Sequence, residues 1–180
     1  EHYQAIGTMG HALSTHADEA FDELGSTKAK KIAERVFKSL TDTVSDSRGL
    51  RRPTSLKNLC LIVEANESEV SSVIDAFRST GRSFLMPTDE QSLSPDTVID
   101  ISHESLMRVW ERLGKWIREE NTSAQTYLRL AQAASNYEKS TAGLWRDPEL
   151  QIGLRWFEST EPSAAWARQY KPNFERSISF

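Results

Sequence analysis

The side chains with the widest chemical range in this sequence are four histidines, one cysteine and a short run of arginines. His11 and His16 are five residues apart, a spacing that puts them on different sides of a helix. His2 and His103 stand alone. His103-Glu104 opens like the zinc-binding HExxH motif, but Met107 occupies the place of the second histidine, so no zinc site forms. Cys60 lies in the apolar run Leu59–Val63 with no base near it in sequence, and reads as a small core residue. No phosphate-binding GxxxxGK[ST] loop, GxGxxG turn or GxSxG nucleophile elbow occurs. These residues supply no catalytic group and no metal ligand set, and the chain is expected not to be an enzyme by itself. The remaining candidates are basic. Arg48, Arg51 and Arg52, with Lys57 nearby, form a cluster that can contact a partner or a phosphate, or can simply be solvated.

The bulk properties narrow the function classes. The 180 residues carry 22 Lys+Arg against 26 Asp+Glu, a formal charge of −4. A net acidic chain has no electrostatic reason to coat nucleic acid or an anionic membrane. The longest apolar run is Leu59–Val63, far too short to span a bilayer, so no membrane partner is expected. One cysteine excludes an internal disulfide framework and suits a reducing compartment, hence a cytoplasmic location. Hydrophobic residues at 38% are enough for a core. The sequence opens on Glu1, without the charged and apolar regions of a signal peptide, and reads as a piece of a longer chain.

Helices dominate the expected architecture. Ile6, Met9, Leu13, Ala17, Ala20, Phe21 and Leu24 recur at helical spacing, and Gly25 suits a helix terminus. Ser26 or Thr27 can cap a second helix striped by Ile32, Ala33, Val36, Phe37 and Leu40. Residues 42–54 lack periodicity and read as a loop. A helix from Thr54 or Ser55 carries Leu56, Leu59, Cys60 and Val63. Another, from about Ser68 to Thr80, carries Val70, Val73, Ile74 and Phe77. The period then changes: Ser83–Met86 and Val98–Ile101 predict a two-stranded hairpin around a polar turn. Ser102 can cap a helix with a continuous stripe through Leu106, Trp110, Leu113 and Ile117. Further helices are expected at about 123–139, after Asp147-Pro148-Glu149, and from Pro162. All five Trp residues fall in this last part.

The fold class is therefore mainly α. It comprises a helical subdomain with the first winged-helix helix (1–44), the rest of a winged helix with its hairpin (45–102), and a Trp-rich helical extension (103–180). The parts meet near Ser102 without a flexible linker and are expected to pack rigidly. The helix that would read DNA, Glu67–Thr80, holds three acids and one base, and the turn MPTDEQSLSPD is acidic too. Such a surface is repelled by phosphates, which argues against nucleic acid as a partner.

Residues 99–120, IDISHESLMRVWERLGKWIREE, resemble the end of the winged helix in STAND-class nucleotide-binding signalling proteins, the group that includes AP-ATPases and NLR receptors. The resemblance rests on Ile101, His103, Glu104, Leu106, Trp110, Arg112, Leu113 and Trp116. Residues 6–24 are similar to the opening helix of the helical subdomain, and Arg51-Arg52-Pro53 with Ser55-Leu56 to the entry into the winged helix. The segment 121–176 resembles the helical extension of bacterial members, through Asp147-Pro148-Glu149-Leu150 and FERS.

The resemblance implies a regulatory half of a nucleotide switch. His103, with Glu104 where the family usually has Asp, would face the phosphates of ADP; Arg51 and Arg52 are possible phosphate or partner contacts. The implied partners are the chain's own NTPase core, a flanking sensor or repeat domain, and other proteins. No cofactor is expected in these residues, with ATP/ADP and Mg belonging to a longer parent. Gly7-Thr8-Met9-Gly10 lacks the proline that touches adenine in related proteins, so no adenine contact is implied here. The other readings are a stand-alone adaptor binding proteins through the Trp-rich helices, and, behind it, a winged-helix DNA regulator.

Overall fold

A computed structural model describes residues 2–44 and 49–180, with side chains described from Gly10 onward. Ile6 and Met9 of the first stripe, and Arg48 of the basic cluster, therefore lie outside the described side chains. The described residues are mainly helical, with two small antiparallel sheets. The chain forms two compact units, Glu1–Arg118 and Glu119–Phe180.

The first unit opens with α1 (His2–Asp22) and α2 (Thr27–Ser39). Gly25 takes φ 69°, a left-handed turn that glycine adopts without a Cβ penalty. Ser26 then caps α2 by accepting from the Ala29 N–H. α3 (Leu56–Val63) is capped by Ser55. α4 (Glu67–Arg78) begins earlier than periodicity alone implies, because Asn66 and Glu69 form a reciprocal capping box. α2, α3 and α4 pack on one another, and α1 packs against α4.

Segment 42–54 is more than a loop. Its described residues contribute β2 (Leu50–Arg51), which pairs with β1 (Thr41–Asp42), and β3 (Thr54–Ser55). β4 (Leu85–Met86) and β5 (Val98–Ile101) form the expected antiparallel pair, with Leu85 opposite Ile101. β3 joins the other edge of β5, so the sheet has three strands in the order β3-β5-β4. Two-residue strands carry no period of their own, and backbone pairing with β5 creates them. Ile99 and Ile101 point into the core, while Val98 and Asp100 face the other side.

The stripe after Ser102 is interrupted. α5 (Glu104–Val109) ends at Trp110, whose φ −81° and ψ 102° are extended, and α6 (Glu111–Glu138) starts one residue later. Trp110 is fully buried among Phe37, Phe77 and Trp116, and its indole Nε1–H donates to Asp18 of α1 at 3.0 Å. Ser14, one turn earlier on α1, accepts from the Glu111 N–H at 3.4 Å and caps α6. Arg112 pairs with Asp18 at 2.6 Å and lies 4.3 Å over the Phe21 ring. The kink turns the indole toward α1 while every apolar residue keeps helical spacing, which is why periodicity cannot reveal it.

α6 runs unbroken across the predicted gap before 123. In the second unit it contributes Ala124, Tyr127, Ala131 and Ala134 to a core completed by Trp156 and Trp166. α7 (Glu149–Thr160) is preceded by Pro148 in the capping position, with no side-chain cap from that residue, so the proline stands one place earlier than expected. α8 (Ala164–Arg168) is capped by Ser163 rather than started by Pro162: the Ser163 hydroxyl accepts from the Trp166 N–H. A short α9 (Phe174–Ile178) follows. Four buried or half-buried aromatic N–H and O–H groups find partners here, whereas the buried Asn121 Oδ1 has none among the described residues. Tyr127 donates to the Lys171 carbonyl, Trp156 Nε1–H to Ser123, and Trp166 Nε1–H and the Tyr170 hydroxyl both to Glu120.

Candidate functional site

His103 stands at the junction of β5 and α5. It is the residue preceding the helix, with extended φ −139° and ψ 133°, and its side chain makes no capping bond. Ser102, expected in that role, instead extends the sheet: its N–H donates to the Phe84 carbonyl at 3.0 Å. Strand pairing thus claims Ser102 and moves the cap position to His103. The imidazole is exposed. Glu104 begins α5, is exposed, and forms an i,i+4 ion pair with Arg108 at 3.6 Å.

Arg51 and Arg52 diverge. Arg51 reaches the open side of the three-stranded sheet, donating to Asp100 at 2.9 Å and to the Ile101 carbonyl at 3.1 Å. That carbonyl lies two residues before His103, so Arg51 braces the strand that presents it. Arg52 instead pairs with Asp42 at 3.2 Å, and its N–H donates to the Leu40 carbonyl, tying the paired strands β1 and β2 to the end of α2. Asp100 was missed by sequence reasoning. Its one signal is alternation: it sits between Ile99 and Ile101, and therefore on the opposite face.

Other titratable groups support the scaffold. Burial raises the Cys60 thiol, with the Glu67 charge adding to the effect, which favours the protonated thiol. Hydrogen bonding from Lys28 lowers the Glu69 carboxyl, and hydrogen bonding from Thr80 lowers Asp89. Arg78, the one base of α4, turns inward. It pairs with Asp75 at 2.6 Å and donates to the Thr88 and Gln91 carbonyls, both at 2.7 Å. It organises the loop between β4 and β5 and is buried.

A surface cavity of about 670 Å³ lies beside α5, lined by Asp18, Arg108, Glu111, Arg112 and Lys115 among others. Its lining carries four cations, Arg108, Arg112, Lys115 and Arg118, against two acids, Asp18 and Glu111; Arg112 pairs with Asp18, and Arg108 with Glu104 outside the lining. Among the described residues no group of three or more His, Cys, Asp or Glu is arranged to hold a metal ion. Nor is any described helix long and apolar enough to cross a membrane.

The arrangement of an exposed histidine at a strand-to-helix junction braced by Arg51 accompanies a match at the level of the whole sequence. The family model described as novel STAND NTPase 1 (nSTAND1) matches residues 1–143. The chain belongs to the nSTAND1 family. The match covers α1 through α6 and stops before α7, so the helices α7–α9 lie beyond the nSTAND1 region. Neither the curated proteins nor the solved structures compared with the chain gave a match.

Proposed function

We propose that this nSTAND1 chain is a regulatory and interaction portion of a nucleotide-dependent signalling switch, in which His103 senses the bound nucleotide. The order α2-α3-α4 followed by the antiparallel sheet β3-β5-β4 supports reading residues 27–101 as a winged helix. The observation that carries the proposal is the position of His103: exposed, unused as a cap, and held at the end of a braced strand inside the region the family model matches. α5 has only six residues, so the helix dipole adds little, and the imidazole N–H itself is the proposed donor to a phosphate. Glu104 and Arg108 flank it, and Arg51 positions the strand.

In this account a nucleotide domain elsewhere in a longer parent supplies ATP or ADP with Mg. The present residues clamp its ADP-bound form and pass its release to neighbouring domains. They need no catalytic group of their own. A cytoplasmic location fits such a role. The test is His103→Ala in a parent carrying the phosphate loop. Faster ADP release supports the clamp; an unchanged release rate refutes it.

Duplex DNA is the weaker reading. α4 presents Glu67, Glu69 and Asp75, and its single base, Arg78, is buried against the β4–β5 loop. A groove-reading helix needs cations at its surface.

A further inference from the structure

The second unit leaves one helix face open. α7 gives only Trp156 to the core, while Leu150, Leu154 and Phe157 remain 40%, 46% and 38% exposed. Their i, i+4, i+7 spacing makes one stripe. Its orientation is fixed from two sides. Trp156 donates to Ser123 of α6, and the Trp145 ring lies so close to Gly153 that a Cβ there would sit 2.9 Å from it. The C-terminal end is closed by the Glu161 N–H on the Phe157 carbonyl at 3.0 Å. The stripe is therefore a surface of an anchored helix. Of the three Trp residues in this unit, Trp156 and Trp166 are buried and Trp145 is half-buried, so its exposed apolar side chains are aliphatic, Phe and Tyr rather than indole.

The charges around the stripe select what can cover it. Asp147, Glu149, Glu158 and Glu161 flank it against Arg146 and Arg155, four acids to two bases, and the Arg155 Nε–H donates to the Gln151 carbonyl of its own helix. Asp147 and Glu161 stand seven residues to either side of Leu154. A second copy laid antiparallel across Leu154 sets Asp147 of each against Glu161 of the other. A parallel copy sets each acid against itself. Both self-pairings bring like charges together.

We propose that α7 docks an amphipathic helix of a partner protein, one with an apolar i, i+4, i+7 stripe flanked by Lys or Arg. Helix-on-helix packing supplies affinity through Leu150, Leu154 and Phe157, and the acidic rim supplies selectivity. The proposal does not depend on the nucleotide reading.

The test uses the full chain and labelled helical peptides with a Leu stripe and either Lys or Glu flanks, read by fluorescence anisotropy. The Lys-flanked peptide is expected to bind at least about tenfold more tightly, the equivalent of a few rim ion pairs. Binding should weaken with salt and be lost in Leu150→Ser/Leu154→Ser. Glu158→Lys, at an exposed position, keeps the apolar stripe and should narrow the preference between the two peptides. Equal binding of both peptides overturns the proposal. So does binding that survives the double substitution in a chain with unchanged circular dichroism. A dimer in sedimentation that Leu154→Ser abolishes, or adsorption to neutral phosphatidylcholine vesicles, assigns the face to another occupant and also overturns it.

Discussion

Replacing Asp18 by Ala should cost about 2 kcal/mol, and replacing it by Asn well under half of that. Asp18 accepts from the Trp110 Nε1–H at 3.0 Å and from Arg112 Nε–H at 2.6 Å. The indole is fully buried, so deleting its acceptor leaves an orphan donor, a loss of about 1–3 kcal/mol. The Arg112–Asp18 pair is about one-third exposed on each side, and screening reduces its worth to about 0.5 kcal/mol. Asparagine keeps an oxygen for the indole and gives up only the ion pair. The assay is urea unfolding followed by far-ultraviolet circular dichroism, with Trp110→Phe added to complete a double-mutant cycle. Phenylalanine has no N–H, so Asp18→Ala should cost about 1–2 kcal/mol less in that background. Equal costs for Ala and Asn, or a cycle without coupling, would refute the claim that this bond holds the kink between α5 and α6 against α1.

Three further outcomes follow from the packing. Arg78→Lys should destabilise by about 3 kcal/mol, because an ammonium cannot hold Asp75 and the Thr88 and Gln91 carbonyls together as the guanidinium fork does; a loss under about 0.5 kcal/mol in thermal unfolding would contradict it. Gly153→Ala should lower stability by about 1 kcal/mol, since contact at 2.9 Å with the Trp145 ring outweighs the helix-propensity gain, whereas a rise of about 1 kcal/mol in urea unfolding would show that the ring moves freely. Burial raises the Tyr127 hydroxyl, with a hydrogen bond from Ser177 partly offsetting it. The unfolded chain therefore loses that proton first. The contribution is full below about pH 10, the ordinary tyrosine value, and disappears as pH rises through the higher folded value. Tyr127→Phe should flatten that alkaline limb, and an unchanged slope in pH-dependent unfolding would count against it.

The helical elements that bury a stripe were legible because amphipathic spacing and caps are local: Ser26, Gly25 and Ser55 act at the termini where their types suggest. The core of the first unit was equally legible, from Val36 and Phe37 to Val73, Ile74 and Phe77. What escaped depends on distant partners. The break at Trp110 follows from a bond to Asp18, 92 residues away in sequence. β3 exists because β5 lies beside it. The cap moved from Ser102 to His103 because Phe84 offers Ser102 a carbonyl. For the candidate site, the resemblance pointed to His103, and the structure adds its exposure and the brace from Arg51. The Arg51–Asp100 contact joins residues 49 apart, beyond any local pattern. Arg52, which looks equivalent to Arg51 in sequence, is turned by the β1–β2 pairing toward Asp42.

The measurement that bears most directly on the proposed switch is the nucleotide content of a purified longer parent carrying the phosphate loop, determined by chromatography after denaturation, with and without His103→Ala. Near-stoichiometric ADP is expected in the unsubstituted parent, and clearly less in the variant at unchanged thermal stability of its nucleotide-free form. Equal ADP in both would remove His103 from nucleotide sensing, and no bound nucleotide in either would contradict the switch itself.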